Sequence, residues 1–202
     1  MNEKRKVEII LATLKLASEQ GLKAVSISMI AKEIGIKKPS LYNHFKSKEE
    51  LVCEMYNYLR SKAKEFASVK NVDYELLFKT KYASEILKTL VHSYEKICTC
   101  KEMEMFYKVI YAERTTSKEC AKILTTESET MIEQTKTTFM LFQKNNLLRF
   151  ENIEISAISF ALTIHAMIDF EADKSFSETG KIKRNFETID AFIELFCEEH
   201  KV

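Results

Sequence analysis

Residues 26–52 read SISMIAKEIGIKKPSLYNHFKSKEELV, and this stretch decides the fold. Ser26 is a residue type that caps helix N-termini, and apolar residues follow it at helical spacing as far as Gly35. Pro39 is tolerated in the first turn of a helix but not in its interior, so a new short helix begins near Lys38. The stretch therefore predicts two short helices separated by three or four residues, which is typical of a helix-turn-helix.

Longer helices are expected on both sides of this motif. Before it, apolar residues recur at helical spacing from Val7 to Ala17, and Gly21 follows where a left-handed C-terminal cap would fall. After it, Ser47 and Glu50 match the S-x-x-E capping box, which predicts the start of a longer fourth helix.

The composition excludes most folds that contain sheets. The chain has 202 residues with three glycines and one proline, whereas average usage would give about 14 and about 10. Sandwiches and barrels need frequent tight turns, and phosphate-binding loops need clustered glycine. We therefore expect an all-α protein.

The remainder of the chain also shows helical periodicity. Residues 68–73 lack it and are the candidate boundary between a head and a body. Body helices are predicted near residues 83–97, 103–112, 117–124, 127–145, 153–170 and 181–200. The predicted architecture is a three-helix head, residues 1–48, joined by a shared fourth helix to a helical-bundle body, residues 49–202.

Charge and cysteine content favour a soluble cytoplasmic protein. Residues 1–50 hold ten Lys/Arg and six Asp/Glu, a net charge of +4, although the whole chain carries only +1. The longest charge-free run, residues 155–168, is shorter than the about 18 residues of a membrane span and predicts a buried helix. The first residues do not fit a signal peptide. Five cysteines without framework spacing are typical of reduced thiols, so we expect no structural disulfide.

The motif closely resembles the N-terminal DNA-binding signature of the TetR family of bacterial transcriptional regulators. The resemblance covers about the first 60 residues, and it rests on Ile30, Ala31, Gly35, Ile36, Leu41, Tyr42, His44, Phe45, Lys48 and Leu51. It implies a head that binds operator DNA and a body that dimerises and commonly holds a small effector. In this family, repression by occlusion of a promoter is the usual action.

The third helix is the expected recognition helix. Leu41 and Phe45, four residues apart, would pin it to the second helix and leave its polar residues facing outward. Matching family positions imply phosphate contacts for Tyr42, His44 and Lys48. The residue types at three other positions suit base edges, namely Lys38, Ser40 and Asn43. The full set of predicted DNA contacts is Ser26, Ser28, Lys37, Lys38, Pro39, Ser40, Tyr42, Asn43, His44 and Lys48.

Lys37 departs from the family pattern. The family often has Ser or Thr at this position, so the third helix here should lack a side-chain cap and gain a phosphate contact.

The body is rich in aromatic and sulfur-containing side chains, which suit an adaptable pocket for an apolar or aromatic ligand. Most of them also suit an ordinary core. The candidate ligand residues are Tyr82, Leu90, Tyr94, Met103, Phe106, Tyr107, Met131, Thr135, Phe139, Phe142 and His165. His165 and Asp169 have helical i,i+4 spacing, which also suits a buried polar pair. Cys98 and Cys100 lack the partners of a metal site, so no metal and no cofactor are expected.

These observations predict a TetR-like regulator. We expect a repressor that is released from a near-palindromic operator by a small apolar or aromatic ligand. The predicted partners are double-stranded DNA, that ligand and a second copy bound through the last two helices, near residues 153–170 and 181–200, with no membrane. One alternative is a helical adaptor for protein partners without specific DNA binding, and salt-sensitive DNA binding would discriminate the two. A small helical enzyme is the least favoured, because no nucleophile motif, glycine-rich loop or complete metal set is present.

Overall fold

The computed structural model describes residues 2–67 and 82–202. The predicted boundary at residues 68–73 lies outside them. The described residues form nine helices, which confirms the all-α prediction. These helices are α1 Asn2–Gln20, α2 Ile27–Glu33, α3 Lys38–Tyr42, α4 Lys48–Ala67, α5 Ala83–Cys98, α6 Lys101–Glu113, α7 Lys118–Lys144, α8 Ile153–Thr179 and α9 Glu187–Glu199. Within the described ranges, extended backbone pairs only in an isolated antiparallel bridge between Leu148 and Lys201.

The described residues divide into two compact units. The first comprises residues 2–67 and 95–126, and the second comprises residues 82–94 and 127–202. Two helices, α5 and α7, contribute residues to both units. The predicted division near residue 48 stays a prediction.

The first unit is built on an aliphatic core. α1 packs against α2, α4 and α6, and α4 also packs against α6. The fully buried side chains include Leu14 of α1, Leu51 and Met55 of α4, and Met103 and Phe106 of α6. Burial of such side chains is the main favourable contribution to the folding of this unit.

The second unit has an aromatic core. The ring of Phe139 stacks on Phe150 with centroids 4.4 Å apart and lies 5.5 Å from the centroids of both Phe160 and Phe196. On the surface of this unit, α5 and α9 are joined by the Lys88–Glu194 ion pair and by a hydrogen bond of 2.9 Å between His92 and Asp190.

Three helix boundaries differ from the sequence prediction. α7 is one continuous helix where two were expected, because Thr125 hydrogen-bonds back to the Ala121 carbonyl at 3.0 Å and does not interrupt it. α8 extends to Thr179, beyond the expected end near residue 170, and stops at Gly180, whose φ of +68° is the left-handed cap. α9 begins at Glu187 and not near residue 181.

α8 is long and apolar enough to cross a membrane by length and composition alone. Ala157, Phe160, Ile164 and Ile168 of this helix are buried in the core of the second unit. This burial accounts for part of its apolar composition and supports the interpretation of α8 as a helix of a folded core.

Candidate nucleic-acid interface

The helix-turn-helix forms where the sequence predicts it. The Ser26 hydroxyl accepts a hydrogen bond from the Met29 backbone N–H at 3.2 Å and so caps α2. Gly35 has a φ of +69°, a conformation that most residues adopt only with strain, and it redirects the chain after α2. The Ile36 N–H then donates to the Ala31 carbonyl at 2.9 Å. These local contacts fix the turn that leads into α3.

α3 begins as expected from its proline. Pro39 lies in its first turn, and Lys37 occupies the N-cap position without a side-chain hydrogen bond to the helix. The predicted loss of a side-chain cap is therefore confirmed. The Lys37 side chain is exposed and remains available for another contact.

The inner face of α3 is anchored in the core of the first unit. Leu41 and Phe45 are buried together with Ile30 of α2, and Ile34 and Ile36 pack against the same core from partly exposed positions. This packing fixes the rotation of α3 about its own axis. The polar side of the helix must therefore face solvent.

Most of the predicted DNA contacts are exposed. Ser26 and Ser28 lie at the start of α2, and the others lie in α3 or directly beside it, namely Lys37, Lys38, Pro39, Ser40, Tyr42 and Asn43. Tyr42 is 45% exposed, and the Lys38 ammonium lies 5.9 Å from the centroid of its ring. An exposed tyrosine beside exposed lysines and an asparagine presents the donors that contact phosphates and base edges.

The two remaining predicted contacts, His44 and Lys48, are partly buried. The Nδ1 atom of His44 is buried and has no hydrogen-bond partner among the described residues. The Lys48 ammonium donates a hydrogen bond to the Leu22 carbonyl, just beyond the end of α1. Burial lowers the pKa of Lys48, while the carboxylates of Glu113 and Glu49 oppose this shift. The structure thus gives Lys48 an internal acceptor in addition to any phosphate it binds.

Glu113, at the end of α6, is a polar residue near this site that the sequence analysis did not single out. Its side chain is buried, accepts a hydrogen bond from the Thr116 hydroxyl at 3.0 Å and lies 3.6 Å from the Lys23 ammonium. Together with Lys23, Lys48 and the first turn of α7, it lines a cleft of about 360 Å³. In this cleft the Glu113 carboxylate lies with two cations, Lys23, which follows α1, and Lys48, which begins α4.

The start of α4 is capped differently from the prediction. The Ser47 hydroxyl accepts from the Glu50 N–H at 3.1 Å, as a capping box requires. The Glu50 carboxylate, however, accepts from the backbone N–H of Lys46 and not from that of Ser47. The predicted capping box is therefore half correct, because the second hydrogen bond is donated by Lys46, the residue before the N-cap.

The predicted ligand residues are divided between the two units. Met103 and Phe106 are fully buried in the first, where Tyr107 packs against the same core. In the second, Phe139 and Phe142 are fully buried, and Leu90 and Tyr94 pack against the core that contains them. Met131, Thr135 and His165 are partly buried, and Tyr82 is largely exposed. The ligand set stays a prediction.

Three of the described thiols are harder to ionise than a free cysteine. Burial raises the pKa of the Cys53 and Cys120 thiols, and it raises the pKa of Cys197 to about 11. Cys100 is a free thiol. The side chain of Cys98 is not among the described side chains. His165 Nδ1 is 3.7 Å from a carboxylate oxygen of Asp169. Among the described residues, no three His, Cys, Asp or Glu side chains converge as a metal site.

Comparisons with known proteins match the helix-turn-helix and the fold as a whole. Residues 9–55 match the family model described as bacterial regulatory proteins, tetR family. The chain is 27% identical over 133 residues to the HTH-type transcriptional regulator AcrR of Shigella flexneri, covering 63% of this chain and 60% of that relative.

Two solved structures share the fold over nearly the full length. The first is a TetR-family transcriptional regulator from Mesorhizobium loti MAFF303099, described as putative, with a TM-score of 0.73 and 20% identity over 100% of this chain and 99% of that one. The second is the flavonoid-responsive regulator FrrA, with a TM-score of 0.71 and 20% identity over 98% of both chains. At this identity the likeness shows the fold alone.

Proposed function

Because this chain belongs to the TetR family of bacterial regulatory proteins, we propose that it represses transcription in the cytoplasm by binding a near-palindromic operator as a homodimer. The observation that carries this proposal is α3, whose apolar side is locked into the core while its polar side is exposed. The family is one of regulators and not of enzymes. A helical adaptor without DNA binding is the competing function, and the DNA experiment below separates the two.

The proposed roles follow from the chemistry of the side chains in and around α3. Lys37, Tyr42 and His44 would hold phosphates, which positions the head without reading sequence. Asn43 would pair with adenine, and Lys38 would donate to guanine. Lys48 would bind a phosphate only by sharing or releasing the Leu22 carbonyl.

We expect wild-type protein to bind a mixed library of double-stranded DNA with an affinity that falls steeply with salt, because each neutralised phosphate adds about −0.9 to the slope of log K against log salt. Asn43→Ala should change the selected sequence and weaken binding to the wild-type site by about 5- to 160-fold, since a bidentate base contact contributes about 1–3 kcal/mol. Tyr42→Phe should weaken binding to all sequences alike. Selection followed by fluorescence anisotropy at several salt concentrations measures both effects.

Two results of this experiment would contradict the proposal. Wild-type protein that shows no salt-sensitive DNA binding would favour the adaptor function. An Asn43→Ala variant that loses affinity but keeps the same sequence preference would contradict the assigned base contact. Lys15→Ala is a suitable control, because Lys15 is paired with Glu33 at 2.8 Å on the surface of the first unit.

The proposed dimer interface is the exposed apolar side of α8. Ile155, Leu162, Phe170 and Phe176 are all exposed there. Their spacing places them within one side of the helix over about six turns. Leu195 of α9 is also 60% exposed. Exposed apolar side chains aligned on one side of a helix favour a partner. Two heads on successive turns of the major groove require a dimer with recognition helices about 34–36 Å apart.

We also propose that an apolar or aromatic effector lowers operator affinity. The fold neighbour FrrA is named a flavonoid-responsive regulator, so flavone is a reasonable first probe. Linkage requires that operator DNA weaken flavone binding by the same factor by which flavone weakens operator binding. Calorimetric titration of flavone, with and without saturating operator, gives the first factor. Titration of operator, with and without saturating flavone, gives the second. The two factors should be equal, at about 5- to 150-fold for typical coupling. Flavone that binds equally well in both titrations does not regulate the protein.

A further inference from the structure

We propose that Lys6, in the first turns of α1, is a further phosphate-binding residue that contacts the DNA backbone beside the C-terminal end of α3. This inference rests on the proposed DNA-binding function. Its basis is a contact within the first unit, where the Lys6 ammonium lies 5.9 Å from the centroid of the Phe45 ring. Phe45 directly follows His44 and is the residue that anchors the end of the recognition segment.

The position of Lys6 is fixed by the helix that carries it. Ile9 and Ile10, in the next turn of α1, are buried in the core of the first unit. The Lys6 side chain is itself only partly exposed. Its ammonium therefore stays near the end of α3, and ordering it on a phosphate costs little additional side-chain entropy.

The charge of Lys6 is not neutralised within the described part of the chain. Two other cations of α1 have carboxylate partners, since Arg5 pairs with Glu8 at 2.7 Å and Lys15 pairs with Glu33 at 2.8 Å. Lys6 has no such ion pair in the described ranges. Its only described side-chain interaction is with the Phe45 ring. An unpaired cation held over a ring beside a recognition helix is available to an external anion.

The geometry of a major groove accounts for a cation at this place. α3 has five residues and is about 7.5 Å long, while the groove is about 12 Å wide with a phosphate backbone on each side. Lys37 and Lys38 lie at the N-terminal end of α3. On the C-terminal side, the Lys48 ammonium already donates to the Leu22 carbonyl. Lys6 adds a cation on that side, and its ammonium is held against the Phe45 ring.

The test compares Lys6→Gln and Lys6→Met with Lys4→Gln in the full chain, using anisotropy on the operator and on unrelated DNA. Lys4 is the matched control because it is exposed and unpaired among the described residues, yet it lies on nearly the opposite side of the same turn of α1. Both Lys6 variants should bind all sequences about 5- to 10-fold more weakly and reduce the magnitude of the salt slope by about 0.9. Lys4→Gln should change affinity less than about twofold.

Several outcomes would decide the matter. Lys6→Arg should restore both affinity and salt slope, whereas a structural role of the methylene stem would be rescued by Lys6→Met. An unchanged salt slope in Lys6→Gln, or equal effects at Lys4 and Lys6, would overturn the inference while leaving the proposed function intact. Wild-type protein without salt-sensitive DNA binding would overturn both.

Discussion

Phe45→Ala is expected to lower the free energy of unfolding of the first unit by about 3–5 kcal/mol, the usual range for removal of a buried phenyl ring. The Phe45 side chain is 1% exposed and packs in the core with Leu41 and Ile30. Its loss also frees the end of α3, so DNA binding should fall below detection. Urea unfolding followed by circular dichroism, together with anisotropy on the selected DNA, measures both effects.

Tyr42→Ala is the matched control for this prediction. Tyr42 is an aromatic residue of the same short segment but is 45% exposed. Its truncation should change the free energy of unfolding by less than about 1 kcal/mol while still weakening DNA binding. Equal destabilisation by the two variants would mean that Phe45 does not anchor α3.

Leu162→Glu is expected to convert the proposed dimer into monomer. Leu162 lies on the exposed apolar side of α8, and a two-fold interface repeats every substitution on both subunits. The variant therefore places two like charges in one apolar surface, where unpaired charges are strongly disfavoured. Light scattering at micromolar concentration should show dimer for wild type and monomer for the variant, with operator affinity reduced by about 100-fold or more.

Leu11→Glu provides the control for the oligomeric state. Leu11 of α1 is 39% exposed, close to the 45% exposure of Leu162, but it belongs to the first unit. The same substitution there should leave the dimer intact. Wild-type protein that is monomeric at micromolar concentration, or Leu162→Glu protein that remains dimeric, would exclude α8 as the interface.

The helix-turn-helix was predictable because its determinants are local. Ser26 caps α2, Gly35 takes a left-handed conformation and Pro39 starts α3, and each acts through backbone contacts a few residues away. The boundaries of the helices after residue 117 were less predictable. Thr125 can interrupt a helix or bond back to the preceding turn, and only packing decides between the two.

The charged surroundings of Lys48 were not predictable in the same way. Its hydrogen bond to the Leu22 carbonyl and its proximity to Glu113 join three segments that are distant in sequence. No periodicity or spacing relates Glu113 to the head. Such contacts follow from how α1, α4 and α6 pack, which a single sequence does not encode in any local pattern.

The packing around Phe139 bears on how tightly an effector of the second unit can bind. The Phe139 side chain is fully buried, with three other phenylalanine rings within 5.5 Å of its centroid. A ligand that reaches this ring must therefore bind a rearranged conformation in which the rings have separated. The apparent Kd equals the intrinsic Kd divided by the population of that conformation. If the conformation has a population of about 1%, an intrinsic Kd of about 10 nM is observed as about 1 µM. Substitutions that loosen the aromatic core should then make the protein sensitive to lower effector concentrations while making its fold less stable.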